Sequence, residues 1–198
     1  MASGAHLFDY TRVTVLEATN LIRAGVGNAA GQTWADLGAG EGTFTRALAR
    51  LVGEQGSVIA LDHDDVAIRE LRRISRDIPT PRIEVVEGDV RKLEVPGIQL
   101  DGALFANVLH FIEDPAAVLA RVRTYLRPQA RVLVVEYEQR ARSRWVPYPL
   151  PLHRLAEIAR EAGFAMPVET GRRKSRYQGE LYCAALASGS TRAVGNAS

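Results

Sequence analysis

The chain has 198 residues, 46% hydrophobic and 24% charged, with a formal net charge of +2. That length predicts a single domain, and the apolar content is enough to cover a sheet on both faces and too high for a disordered chain. The small charge does not announce nucleic-acid binding, no apolar run approaches the roughly 18 residues of a membrane span, and the lone Cys183 excludes an internal disulfide or a cysteine metal cluster.

The first residues, MASGAHLFDYTR, show no basic stretch leading into an apolar one, so no secretory leader is expected and the protein reads as cytoplasmic. Tyr10 to Ala24 read as an amphipathic helix carrying Val13, Leu16 and Leu21, stopped by GVGNAAG. Strand and helix signals then alternate. TWADL is a strand and TFTRALARLV a helix, with Phe44, Leu48, Leu51 and Val52 on one face. SVIALD is a strand, DDVAIRELRRIS a helix, and RIEVVEG and LDGALFAN are strands. DPAAVLARVRTYL is a helix opened by Asp114 and Pro115, and Pro128 separates it from the strand ARVLVVEYE. PLHRLAEIAREAG is a helix closed by Gly163. FAMPVET and GELYCAALA are the last strands, joined by the basic segment GRRKSRYQ. That connection is too short for a parallel crossover, so the two form an antiparallel hairpin. The tail from residue 188 to 198 is small and polar and is expected to be disordered.

This alternation predicts an α/β architecture: a Rossmann-like, doubly wound, seven-stranded sheet, mostly parallel with an antiparallel last strand and helices on both faces. A single domain is expected over residues 1–187. Residues 1–32 would form an N-terminal helical cap, 33–138 the cofactor-binding half and 139–187 the acceptor-binding half.

In such sheets ligands bind beyond the carboxyl ends of the strands. The first strand ends at Leu37, which puts GAGEG there, with Gly38, Gly40 and Gly42 on alternate positions. Glycine tolerates positive φ and offers no Cβ to block a ligand. The spacing is G-x-G-x-G rather than the G-x-G-x-x-G of a dinucleotide fingerprint. A carboxylate, Asp36, stands two positions before the first glycine, unwelcome beside pyrophosphate and suited to a ligand with a cationic end.

From Thr33 to Ala187 the chain resembles a class I S-adenosylmethionine-dependent methyltransferase of the small-molecule type. ADLGAGEGTFT resembles the first motif of that family, VIALDHD the acidic end of strand two, EGDV the third-strand motif and FANVLHF the fourth. The resemblance implies S-adenosyl-L-methionine as cofactor. Asp36 with the Gly38 and Gly40 backbone would hold its methionyl ammonium. Asp62, which stands 20 residues after Gly42, would accept from the ribose hydroxyls. Asp89 would accept from the adenine amino group, Val90 would pack on the ring, and Asn107 would close the site near the methyl group. His63 reads equally as an adenine contact and as a solvent-facing turn residue.

Methyl transfer is an in-line displacement in which the protein mainly aligns the reactants, a contribution of about 7–11 kcal/mol. A base is needed only for a protonated nucleophile. His110 is the best-placed candidate, with a packed histidine at a helix start as the equal alternative, and Glu136, Tyr137 and Glu138 are weaker candidates. Phe8 and Tyr10 read either as a lid or as core. No metal constellation is present among the four histidines.

Two basic clusters follow strand five and strand six: Arg140, Arg142 and Arg144, then Arg172, Arg173, Lys174 and Arg176. If both lie on the carboxyl rim they suit a small anionic acceptor, walled by Trp145, Tyr148 and His153. The competing readings are a solvated loop pair, an RNA methyltransferase and a non-catalytic cofactor-binding protein. No Tyr-x-x-x-Lys supports a nicotinamide oxidoreductase, and no N/D-P-P-Y/F supports transfer to a nucleobase amino group.

Overall fold

The first helix begins later than its apolar spacing suggests. In the computed structural model, which describes residues 13–93, 99–175 and 179–188, α1 spans Val15–Val26. The Glu17 amide donates to the Thr14 side chain at 3.2 Å, and the Glu17 carboxylate accepts from the Thr14 amide at 2.8 Å. This reciprocal cap satisfies donors that the first turn otherwise leaves free. Tyr10, like Phe8 and the rest of the segment up to residue 12, lies outside the described residues.

After α1 the elements alternate as expected: β1 (Thr33–Leu37), α2 (Thr43–Val52), β2 (Ser57–Asp62), α3 (Asp65–Asp77), β3 (Arg82–Glu87) and β4 (Leu100–Ala106). There follow α4 (Pro115–Arg123), β5 (Leu126–Tyr137), α5 (Leu152–Glu161), β6 (Val168–Lys174) and β7 (Glu180–Ala187). Single 3-10 turns, Val90–Lys92 and Leu109–Phe111, follow β3 and β4. The seven strands lie in the order β3-β2-β1-β4-β5-β7-β6. The first five are parallel, while β7 runs against both β5 and β6. The strand order reverses between β1 and β4, which creates the crevice where such sheets bind ligands.

Two apolar layers clamp the sheet, one carrying α1, α2 and α3 and the other α4 and α5. Trp34 of β1 is fully buried against its neighbour in β4, where a Cβ on Gly102 would stand 2.5 Å from the indole. The α1 helix packs into the first layer with Leu21 and Ile22, so it completes the core rather than capping the crevice.

Two boundaries differ from the sequence expectation. α4 stops at Arg123 and β5 begins at Leu126, so Pro128 lies inside the strand. The β4–β5 register shifts between Leu100 and Gly102 there, the irregularity a residue without an N–H donor requires. β6 lies further along than FAMPVET: Gly171 packs against the Leu21 carbonyl of α1, so closely that any Cβ would collide. Arg172, Arg173 and Lys174 are thus strand residues rather than turn residues. Of the tail, Ser188 bridges to Phe164, and residues 189–198 lie outside the described residues.

Candidate cofactor and acceptor site

The loop after β1 is built by backbone bonds. The Gly38 and Ala39 amides donate to the Leu61 carbonyl at 2.8 and 2.9 Å, and the Gly88 amide donates to the Asp62 carbonyl at 2.8 Å. These bonds draw the ends of β1, β2 and β3 together. Gly38, Gly40 and Gly42 all have left-handed φ, +80°, +53° and +78°, but for different reasons. A Cβ on Gly38 would meet Val108 Cγ2 at 2.6 Å, and one on Gly42 would strike Ile74. Around Gly40 a Cβ would meet nothing within 4 Å. Two glycines answer to packing, and the third faces open space.

Asp36 lies beneath this loop, 1% exposed, and accepts a hydrogen bond from the Thr45 hydroxyl at 2.6 Å. Burial pushes its carboxyl up to about 7; Thr45 opposes the rise and Asp62 adds to it. Asp62 is held by three backbone amides. Its Oδ1 accepts from His63 at 2.7 Å and Asp64 at 3.0 Å, and its Oδ2 from Gly40 at 2.8 Å. A carboxylate so fixed keeps lone pairs for ligand hydroxyls while its rotamer is locked.

A cleft of about 400 Å³ opens at the crevice. Its wall includes Gly38, Asp62, His63, Asp89, Val90 and Asn107, six of the eight residues expected to bind a cofactor. Asp36 lies buried beneath the loop, and Gly40 faces open space beside the wall. The wall also holds residues that sequence reasoning missed, chiefly Arg91, Phe111 and Ile112. Arg91 grips Asp89 with two guanidinium nitrogens at 2.6–2.9 Å, and holds that carboxyl down at about 2. The D-x-R spacing was the available signal for this pair. Asn107 departs from the strand with φ +59°, anchored by its amide to the Val135 carbonyl at 2.9 Å. Its Oδ1 is buried and has no hydrogen-bond partner among the described residues.

Toward β5 the site changes character. His110 Nδ1 stands 2.7 Å from Glu136 Oε2, both side chains buried. The connection from β5 to α5 forms a strap whose three arginines each lie over a ring. Arg140 lies 5.0 Å over Tyr137, Arg142 5.9 Å over Tyr148 and Arg144 4.6 Å over Trp145. His153 is exposed beside the strap. The second basic cluster reaches the foot of the strap, where Arg172 stands 3.7 Å from Glu138, but its charges are taken up by carboxylates. Arg172 pairs with Glu169 at 2.6 Å and Glu180 at 2.9 Å, and Arg173 with Glu17 at 2.6 Å. β7 also separates their strand from β5. Arg176 lies outside the described residues.

Residues 35–129 match the methyltransferase domain family. That stretch is a methyltransferase domain, and the strand order with its reversed β7 is the fold of the class I S-adenosylmethionine-dependent methyltransferases. Among curated relatives, the chain is 32% identical over 155 residues to an uncharacterized 37.1 kDa protein in transposon TN4556 of Streptomyces fradiae, covering 69% of this chain and 44% of that one. It is 30% identical over 110 residues to the ubiquinone/menaquinone biosynthesis C-methyltransferase UbiE of Escherichia coli, 55% of this chain and 44% of that one. The chain therefore spans less than half the length of these relatives. Among solved structures, it resembles the 1,6-didemethyltoxoflavin-N1-methyltransferase of Burkholderia thailandensis, with a TM-score of 0.71 and 23% identity over 88% of this chain and 77% of that one. At that identity the likeness shows the fold.

For a class I methyltransferase the group to be held is S-adenosylmethionine, and the residues present fit it. Gly40 leaves backbone open to a ligand, Asp62 and Asp89 both offer acceptors to a cleft of about 400 Å³, and Asn107 Oδ1 lacks the donor that a ligand ammonium or hydroxyl would supply. An unmet buried acceptor costs about 1–3 kcal/mol, so a ligand donor there is favoured.

Proposed function

We propose that the protein transfers the methyl group of S-adenosylmethionine to a small molecule bearing a carboxylate or phosphate. The observation that carries the first half is the convergence of Asp62, Asp89 and the unpartnered Asn107 Oδ1 in one cleft. The bound cofactor supplies the activated methyl group. In this reading Asp62 takes the ribose hydroxyls, Asp89 the adenine amino group, Val90 and His63 the ring faces. Asn107 and the ionised Asp36 complete the methionyl end. Residues 33–138 form the cofactor half and 139–187 the acceptor half.

The acceptor half rests on Arg142. Its guanidinium lies over Tyr148 and, among the described residues, pairs with no carboxylate. With Trp145 and Tyr148 it offers an anion an edge and an apolar body a wall. Arg173 has no part in this because Glu17 occupies it.

Calorimetry with S-adenosylhomocysteine tests the cofactor half, and absence of binding, or binding of NADH instead, overturns it. Incubation of cell extract with methyl-labelled cofactor tests the acceptor class. Label in low-mass anions is expected. Label confined to RNA or protein, with binding that collapses between low and moderate salt, would move the assignment to a polymer.

A further inference from the structure

Glu136 is 1% exposed and His110 3%. The Nδ1–Oε2 distance is 2.7 Å, and the His110 amide donates to Glu136 Oε1 at 3.3 Å. A buried carboxylate and imidazole are costly unless they satisfy each other. Bracing a single 3-10 turn does not call for an acid on a strand 26 residues away. With Nδ1 aimed at the carboxylate, the neutral ring carries its proton there and leaves the lone pair on Nε2.

Position gives this pair its chemical meaning. His110 follows Asn107 and Val108, both of which line the cleft. Its ring lies 4.3 Å from the ring of Phe111, another cleft residue. The Tyr148 amide donates to the His110 carbonyl at 3.0 Å, so the strap that carries Arg142 is fastened to the same residue. The cofactor wall and the acceptor strap therefore meet at this histidine.

On the methyl-transfer reading above, we propose that His110 is the general base of the reaction, Glu136 its positioning residue, and the acceptor's nucleophile a hydroxyl. The acceptor O–H bond breaks and its proton passes to Nε2. The oxygen lone pair forms the new O–C bond to the methyl carbon, and the C–S bonding pair remains on sulfur, which becomes a neutral thioether. Glu136 stays ionised, balances the imidazolium and leaves Nε2 to return the proton to solvent. A thioether or an unprotonated amine needs no such base, which is why the pair selects a protic acceptor. The groups facing the ring are Glu136 and Tyr137 from β5, with Arg140 over Tyr137 and Arg142 beyond Tyr148. Tyr182 of β7 stands opposite Glu136, but its hydroxyl donates to the Leu150 carbonyl at 2.7 Å and does not compete for the carboxylate.

Two measurements test this. The first needs no acceptor: ¹⁵N spectra of histidine-labelled protein loaded with S-adenosylhomocysteine. The expected result is an Nδ1–H, bare-Nε2 tautomer at His110 that is lost in Glu136→Gln. An Nε2–H tautomer in the wild type overturns the proposal. The second uses ¹³C-methyl cofactor with a polar metabolite extract, reading the atom that receives the methyl from its carbon shift. An O-methyl product is expected, made about 10²–10⁴-fold more slowly by His110→Ala, with S-adenosylhomocysteine affinity unchanged within about twofold. Glu136→Gln should displace the acid limb of the kcat profile, and His110→Ala should abolish it. An N-, S- or C-methyl product, or unchanged kcat in His110→Ala, overturns the base while leaving methyl transfer intact. Bound cofactor with no labelled product overturns the methyl-transfer reading itself.

Discussion

The Gly40 amide donates to Asp62 Oδ2 at 2.8 Å, so the open turn after β1 and the carboxylate that ends β2 form one hydrogen-bonded unit. Asp62 therefore has two tasks: it fixes three backbone amides, and it presents lone pairs to the cleft. Asp62→Ala should weaken S-adenosylhomocysteine binding by about 1.5–3 kcal/mol and also lower stability, because those amides lose their acceptor. Asp62→Asn should recover part of the stability and little of the affinity. Calorimetry and urea unfolding of the two variants separate the effects. Equal affinity in all three proteins would remove Asp62 from the ligand site.

The glycines divide in the same way. Gly38→Ala puts a Cβ 2.6 Å from Val108 Cγ2 in a left-handed backbone, which should cost about 2–4 kcal/mol of stability. Gly40→Ala carries the backbone penalty of about 1–2 kcal/mol but no clash. Its methyl group instead enters the space left for the cofactor, so the loss should appear in affinity. Unfolding and binding curves should rank the variants in opposite orders.

The parallel half of the fold was legible because β1, β2 and β4 are buried on both faces and end in turn chemistry that ligand geometry demands. Asp62, Asp89 and Asn107 could be read from strand ends together with the motifs they resemble, and all three line the cleft. β6 could not. Val168–Lys174 is an edge strand with a charged sequence, and what makes it a strand is Gly171 under α1 and the carboxylates around Arg172. The same carboxylates hid the fate of the second basic cluster, since Glu17 lies 156 positions from the Arg173 it neutralises. The His110–Glu136 contact was invisible for the same reason: both residues were candidates, and only the β4–β5 pairing brings them together.

That neutralisation separates two arginines with equal formal charge. Arg142→Glu should raise the KM for an anionic acceptor while leaving cofactor affinity nearly unchanged, because Arg142 is on the strap and free of carboxylates among the described residues. Arg173→Glu should leave that KM unchanged and lower stability by about 1 kcal/mol, as a partly exposed pair becomes a repulsion with Glu17. Steady-state kinetics on the single variants tests this. A KM effect from Arg173 that matches that of Arg142 would restore the two-cluster rim.

Asp36 supplies a pH dependence whose sign can be worked out. Its carboxyl titrates near 3.8 in an ordinary setting and at about 7 in the folded protein, mainly because it is buried. Between those values the folded state holds a proton that the unfolded chain has released. Stability due to Asp36 is therefore fully present below about pH 4, falls as pH rises toward 7, and flattens above it. Asp36→Asn keeps a group of the same shape that cannot ionise, so the stability of wild type relative to this variant should decline by several kcal/mol from pH 4 to pH 8. Ligand binding should run the other way. A cationic methionyl end favours the ionised form, so binding below pH 7 must expel the Asp36 proton, and affinity should fall by up to about tenfold per unit of acidification. Calorimetry in two buffers of different ionisation enthalpy should detect close to one proton released at pH 6 and far less at pH 8, with no release in Asp36→Asn. Equal proton release in wild type and variant would show that Asp36 does not sense the ligand.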